Sequence, residues 1–226
     1  MGTMNGMAEA PAAAPPRYVV VEGPIGVGKT SLARRLAESF GSDLLLEGAD
    51  ENPFLERFYR NPRAGALPAQ LFFLLQRAEQ MQQLQQADLF NPVRVADFLM
   101  EKDRLFAQLT LDEQEFRLYE QVYAHLSVDA PRPDLVIYLQ APVPVLLERI
   151  RRRGRRFEQR MDVDFLRRLS DAYLNFFHDY DAAPLLIVNT THIDPVNRDD
   201  DYEALLDKVQ QVRSGRHFYN PMGTVF

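Results

Sequence analysis

Residues 23–30, Gly-Pro-Ile-Gly-Val-Gly-Lys-Thr, carry glycines, a lysine and a hydroxyl in the G-x-x-x-x-G-K-[ST] spacing of a phosphate-binding loop. The chemistry calls for these types. The glycines Gly23, Gly26 and Gly28, interleaved with Pro24, Ile25 and Val27, let backbone N–H groups of the loop turn toward phosphate oxygens. Lys29 reaches the β- and γ-phosphates, and the Thr30 hydroxyl ligates magnesium. The helix that starts here, with Ser31 in its first turn, points its positive end at the anion. A glycine-rich turn that binds nothing can share the pattern. Here a strand-like YVVVE precedes it and a helix-like SLARRLAESF follows it, which is the context that phosphate binding needs.

Such a loop works with a second carboxylate near the metal, placed at the end of another strand. Val93-Arg94-Val95-Ala96-Asp97 offers one; the competing reading is that Asp97 caps a turn. Residues 149–159 form a dense basic run in a chain of net charge -6. Gly154 breaks that run, and it contains an acid, Glu158, among its arginines. This composition suits a lid that closes on phosphate, because arginines stabilise the charge of a transferring phosphoryl group. A solvated helix face and a nucleic-acid patch are the competing readings. Arg151, Arg152 and Arg156 fit the solvated one.

Gln70 and Arg77 are seven residues apart, nearly two helical turns, so they share one face to within about 20°. Phe73 and Leu74 lie between them. A polar pair beside apolar walls suits a flat heterocycle; the plainer possibility is a glutamine-rich amphipathic helix with Gln70 in solvent. Gln70 offers a donor and an acceptor, whereas Arg77 only donates. Arg77 therefore faces an acceptor, such as N7 of a purine, or is turned away by a nearby acid.

Positioning these groups requires strands and helices in alternation. Apolar runs predict strands at 18–22, 43–47, 93–98, 135–140 and 185–189. Amphipathic stretches predict helices at 29–40, 68–87, 111–126, 143–152, 163–180 and 200–212, with a short one near 53–59. The alternation implies an α/β fold with a mostly parallel sheet covered by helices on both faces. Several strands are apolar throughout, as doubly covered strands are.

A length of 226 residues suits one domain, expected at 17–226 with a lid at about 149–160 and a disordered leader at 1–16. The leader lacks the marks of a secretory or mitochondrial address, so the cytoplasm is the expected location. No cysteine is present, which excludes disulfides and thiolate chemistry. The acidic balance argues against binding nucleic acid, and no apolar run approaches membrane-spanning length. The four histidines show no metal-ligand spacing.

The loop GPIGVGKT, the stretch VIYLQAPVPVLLERIRRRGRRFEQ, and their order and separation resemble the deoxynucleoside kinase family over about residues 18–212. The resemblance implies a P-loop kinase fold with a five-stranded parallel sheet, usually in a homodimer. It implies ATP with Mg2+ as phosphate donor and the 5′-hydroxyl of a deoxynucleoside as acceptor. By the same resemblance Glu47 is the general base, Tyr59 and Glu158 hold the sugar 3′-hydroxyl, and Gln70 and Arg77 read the base. Phe106 packs on the base, Arg149, Arg153 and Arg155 are the lid arginines, and Thr30 and Asp97 hold the metal.

Two departures stand out. No arginine follows Asp97 in the manner common to the family, which leaves Lys102 or Arg104 as a substitute and Asp103 as the nearest base-facing acid. Glycine rather than proline follows Glu47, so Asp50 and Glu51 are rival bases. The segment EKDRLFA is more like the bacterial purine enzymes, and the small Ala69 beside Gln70 leaves room for two rings. Deoxyadenosine or deoxyguanosine is the expected acceptor. Thymidylate-type monophosphate kinases share the loop and lid, but their anionic acceptor has no need of a base such as Glu47. A nucleotide-hydrolysing switch and a non-catalytic nucleotide-binding module also use such a loop. The chain has no Asn-Lys-x-Asp guanine-reading motif, and its intact Lys29, Thr30 and lid argue for catalysis.

Overall fold

The computed structural model describes residues 17–86, 93–126 and 130–221; the leader expected at 1–16 lies outside the described residues. The chain runs β1 (Tyr18–Glu22), α1 (Lys29–Phe40), β2 (Asp43–Leu45), α2 (Leu55–Arg60), α3 (Pro62–Gln86) and β3 (Arg94–Ala96). It continues through α4 (Lys102–Thr110), α5 (Glu113–Leu126), β4 (Leu135–Gln140), α6 (Val143–Arg153), α7 (Val163–Asp179), β5 (Leu185–Asn189), α8 (Asp199–Gln211) and β6 (Arg216–Tyr219). The strands form one parallel sheet in the order β2-β3-β1-β4-β5-β6.

β1 is buried along its whole length because it lies between two neighbours and beneath helices on both faces. Val20 pairs with Ala96 on one side and Val136 on the other. The chain crosses β1 on passing from β3 to β4, and in open parallel sheets ligands bind at the carboxyl ends of strands beside such a switch. The phosphate loop after β1, Glu47 after β2 and Asp97 after β3 all leave the sheet at that edge. No helix among the described residues is long and apolar enough to cross a membrane.

Four features differ from the sequence expectation. The sheet has six strands rather than five: after Gly215, residues 216–219 pair in parallel with β5. β2 and β3 are shorter than expected, so Glu47 and Asp97 stand just beyond their strands. α3 begins at Pro62 and runs through Pro68, which does not start it. Its first turns pack so closely on α2 that a Cβ at Gly65 would lie 2.3 Å from the Phe58 backbone nitrogen. That packing outweighs the hydrogen bond lost at Pro68.

The fourth difference is α4, absent from the expected set. Lys102 and Asp103 in its first turn are buried, so its inward face is charged. A polar inward face has the hydropathy pattern of a solvated segment, and periodicity misses it.

Candidate active site

The loop after β1 presses against the sheet. A Cβ at Gly23 would lie 2.3 Å from the Leu139 carbonyl oxygen, and the residue's φ is +148°, so only glycine fits there. Lys29 folds back across the loop and donates from Nζ to the Gly23 carbonyl at 2.7 Å. Burial and the neighbouring Lys102 lower its pKa to about 8. Gly28 precedes α1 without any side-chain cap, and the first turn holds no acid, so its N–H groups stand open to an anion.

Thr30 Oγ1 donates to Asp97 Oδ2 at 2.5 Å, and Asp97 Oδ1 accepts the Glu47 N–H at 2.7 Å. Burial raises the Asp97 pKa, against the Thr30 hydrogen bond and the Lys29 charge. A cation beside this carboxylate would favour its ionised form. The donor set fits magnesium: one hydroxyl and one carboxylate drawn together at the loop. No group of three acidic, histidine or cysteine side chains that could hold a metal ion gathers among the described residues.

The floor of the site is an alternating charge network. Arg77 is fully buried and forms ion pairs with both Glu47 and Asp103. Asp103 also accepts from the Tyr119 hydroxyl at 2.6 Å. Lys102 Nζ lies 3.5 Å from Glu47 Oε2 and 3.4 Å from Glu22 Oε1. Glu22 also accepts from the backbone N–H of Leu99 at 2.8 Å, from that of Gly23 at 3.0 Å and from the Tyr173 hydroxyl at 3.0 Å. Burial lowers the Lys102 pKa to about 8, with Glu22 opposing.

A cavity of about 330 Å³ opens above this floor. Its lining includes Lys29, Thr30 and Ser31 from the first turn of α1, together with Tyr59, Gln70 and Phe106. Tyr59 stacks on Phe157, and burial raises its pKa, with the Glu158 charge adding to the effect. Phe106 meets Tyr173 edge to face. Gln70 is buried, its Nε2 3.4 Å from Thr110 Oγ1. Glu158 is clamped by Arg153 through two bonds, Nε to Oε2 at 3.0 Å and Nη2 to Oε1 at 2.6 Å. Arg155 reaches Asp50 at 2.6 Å, joining the lid to the segment after β2.

Some expected residues are placed differently. Arg149, grouped with the catalytic arginines, does not line this cavity. Its guanidinium donates to the Thr190 carbonyl at 2.7 Å and hydroxyl at 2.8 Å, because α6 turns that face toward the loop after β5. There it lines an adjoining cleft with Val27 and Asp194, which shares Gly26, Gly28 and Arg153 with the cavity. For Arg77 the sequence left two partners open, a base acceptor or a nearby acid, and the acids Glu47 and Asp103 engage it. The rival bases Asp50 and Glu51 also line this cavity, Asp50 paired with Arg155 and Glu51 accepting from Gln76 Nε2 at 3.0 Å. Of the two substitute cations, Lys102 enters the site and Arg104 pairs with Glu120 outside it. Sequence reasoning passed over Glu22. The available signal was the one used for Asp97, an acid closing an apolar strand.

The sequence profile of the family described as deoxynucleoside kinase matches residues 19–213. The deoxyguanosine kinase of Bacillus subtilis (strain 168) is 34% identical over 203 residues, covering 86% of this chain and 97% of that protein. The deoxyadenosine kinase of Lactobacillus acidophilus is 30% identical over 209 residues, covering 86% of this chain and 95% of that one. A solved structure of deoxyadenosine kinase from M. mycoides with bound dATP superposes with a TM-score of 0.75 at 21% identity. It covers 86% of this chain and 100% of that one, a likeness that speaks for the fold. With the profile matched along nearly the whole described chain and these relatives aligned over 86% of it, this chain belongs to the deoxynucleoside kinase family, enzymes that phosphorylate deoxynucleosides.

Proposed function

We propose that the protein transfers the γ-phosphoryl group of ATP to the 5′-hydroxyl of a purine deoxynucleoside, deoxyadenosine or deoxyguanosine. The observation that carries this reading is one cavity lined by a phosphate loop, the Glu47 carboxylate and an aromatic, amide-bearing wall. Glu47 takes the proton from the 5′-oxygen, which then attacks phosphorus in line. Lys29, Arg153 and Arg155 neutralise charge on the transferring group. Thr30 and Asp97 would hold a magnesium ion, which supplies charge neutralisation at the phosphates. Positioning carries the rest of the barrier reduction, since no covalent intermediate is needed.

Gln70, Phe106 and Tyr59 surround the nucleoside, with Glu158 and Tyr59 at the 3′-hydroxyl. The purine assignment draws on the names of the two relatives above, and on the small, buried Ala69 beside Gln70. Arg77 contributes through its acids, holding Glu47 and Asp103 in place beneath the base. A homodimer completes the reading: Leu75 of α3 and Leu118 of α5 are apolar and half exposed on neighbouring helices, a surface that a second copy would cover. Phosphate transfer to the four deoxynucleosides at equal concentration tests the assignment. A clear win for thymidine or deoxycytidine overturns the purine reading.

A further inference from the structure

Both oxygens of the Glu47 carboxylate are held, and by different cations. Oε1 pairs with Arg77, while Oε2 faces Lys102. The five groups run Asp103, Arg77, Glu47, Lys102, Glu22, with acids and cations strictly alternating. Arg77 is matched by Asp103 at one end of the row. Lys102 is matched by Glu22 at the other. Glu47 is therefore the one acid in the row that lies between two cations, and it is also the most exposed of the five to the cavity, with 17% of its side chain accessible.

Lys102 is fully buried, and its ammonium is nearly equidistant from two carboxylates that come from different strands. Glu22 closes β1 and bonds the first N–H of the phosphate loop; Glu47 follows β2. The ammonium thus links the side that holds the donor phosphates to the group that faces the acceptor. Placing an ammonium with no access to water is costly unless its partners are fixed. Glu22 is fixed by two backbone N–H groups and a tyrosine. Glu47 is fixed by Arg77 and, through its own N–H, by Asp97.

We propose that Lys102 is a positioning residue for phosphoryl transfer: bridging Glu22 and Glu47, it sets the direction of the Glu47 carboxylate relative to the phosphate loop. This rests on the reading of Glu47 as general base. Lys102 acts through Glu47 and leaves the affinity for either substrate to other groups.

A double-mutant cycle tests it, with steady-state kinetics on Lys102→Met, Glu47→Gln and the pair, each first shown to be folded by circular dichroism. Lys102→Met should lower kcat by roughly 10- to 100-fold, up to the lower end of general-base assistance because the base itself remains, with KM for nucleoside and ATP within about twofold. In the Glu47→Gln background the same change should cost less than about threefold, since residues that act as a unit are not additive. Lys102→Arg should recover part of the loss, and Arg104→Gln, on the same helix but at the surface, should change nothing. If Lys102→Met does not fold, Glu22→Gln combined with Lys102→Met removes both buried charges and takes its place in the cycle. Equal losses in the two backgrounds, or a loss confined to KM for ATP, would overturn the proposal while leaving the general base intact. Unchanged turnover in Glu47→Gln alone would remove the general base and this proposal with it.

Discussion

Thr30 Oγ1 donates to Asp97 Oδ2 across 2.5 Å, joining the first turn of α1 to the residue beyond β3. This contact crosses 67 residues of sequence and places the two proposed metal ligands side by side. Chelation of magnesium should abolish activity. Asp97→Asn should raise the magnesium concentration for half-maximal rate by at least the roughly 10-fold that even outer-shell partners contribute. An unchanged magnesium titration would take the metal role from Asp97.

Glu47→Gln retains the shape of the side chain but cannot accept a proton. Its kcat should fall by about 10²-fold or more, the scale of lost general-base assistance, with little change in nucleoside KM. Since Asp50 and Glu51 are tied to Arg155 and Gln76, Asp50→Asn and Glu51→Gln should retain most of the turnover. A reversed ranking among the three variants would move the base.

Tyr59, on α2, is stacked on Phe157 with ring centroids 5.5 Å apart and also meets Phe58, so it cannot swing aside freely. A 2′-hydroxyl would crowd it. Deoxynucleosides should therefore exceed ribonucleosides in kcat/KM, and Tyr59→Ala should narrow the ratio. Equal efficiencies in a direct competition assay of the unmodified enzyme would refute the sugar assignment.

Asp103 neutralises Arg77 in a fully buried pair and accepts the Tyr119 hydroxyl. Asp103→Ala leaves a guanidinium without one of its counter-charges and a phenol without its acceptor. Stability should drop by about 3–5 kcal/mol, the usual cost of stranding one half of a buried pair. Urea unfolding measures it; a loss below about 1 kcal/mol would show that Glu47 alone suffices for Arg77.

The pKa of Lys102 is lowered to about 8 by burial, with Glu22 opposing. Its charged form predominates below that pH and is lost above it, so activity that needs the ammonium should decline as pH rises through about 8. Bound ATP places anions on Lys29 and holds that lysine charged, so at saturating ATP the alkaline limb belongs to Lys102. Lys102→Arg should flatten it, because a guanidinium stays protonated there. The sign for stability is opposite. The unfolded chain binds more protons than the folded one between about 8 and the ordinary lysine value of 10.5, so this residue's contribution to stability rises with pH across that window. An alkaline limb identical in Lys102→Arg would exclude Lys102 as its origin.

The phosphate loop was legible because its chemistry is contiguous. Backbone N–H groups, a lysine and a hydroxyl within residues 23–30 make the site, and a helix starting in the same segment completes it. β1, β4 and β5 were legible for a related reason: strands buried on both faces are apolar throughout, whatever packs on them. The charged inner face of α4 was not legible, since Lys102 and Asp103 have the pattern of a solvated turn until other elements supply their partners. Nor was β6, a short strand whose only ladder is the free edge of β5.

The sequence by itself determined a phosphate-loop pattern, a parallel sheet to present it, and which acids and arginines were available. Only the tertiary structure decided how those charges pair. Of the two partners open to Arg77 the acids took it, Glu47 and Asp103; Arg149 bonded Thr190; and Lys102 rather than Arg104 entered the site. The physical reason is range. Hydrophobic period and loop chemistry act between near neighbours in the chain, whereas a buried charge is satisfied by whichever opposite charge the strand order brings within a few ångströms. Here that order sets β3 beside β1 and brings Lys102, just beyond β3, to Glu22, 80 residues earlier in the chain.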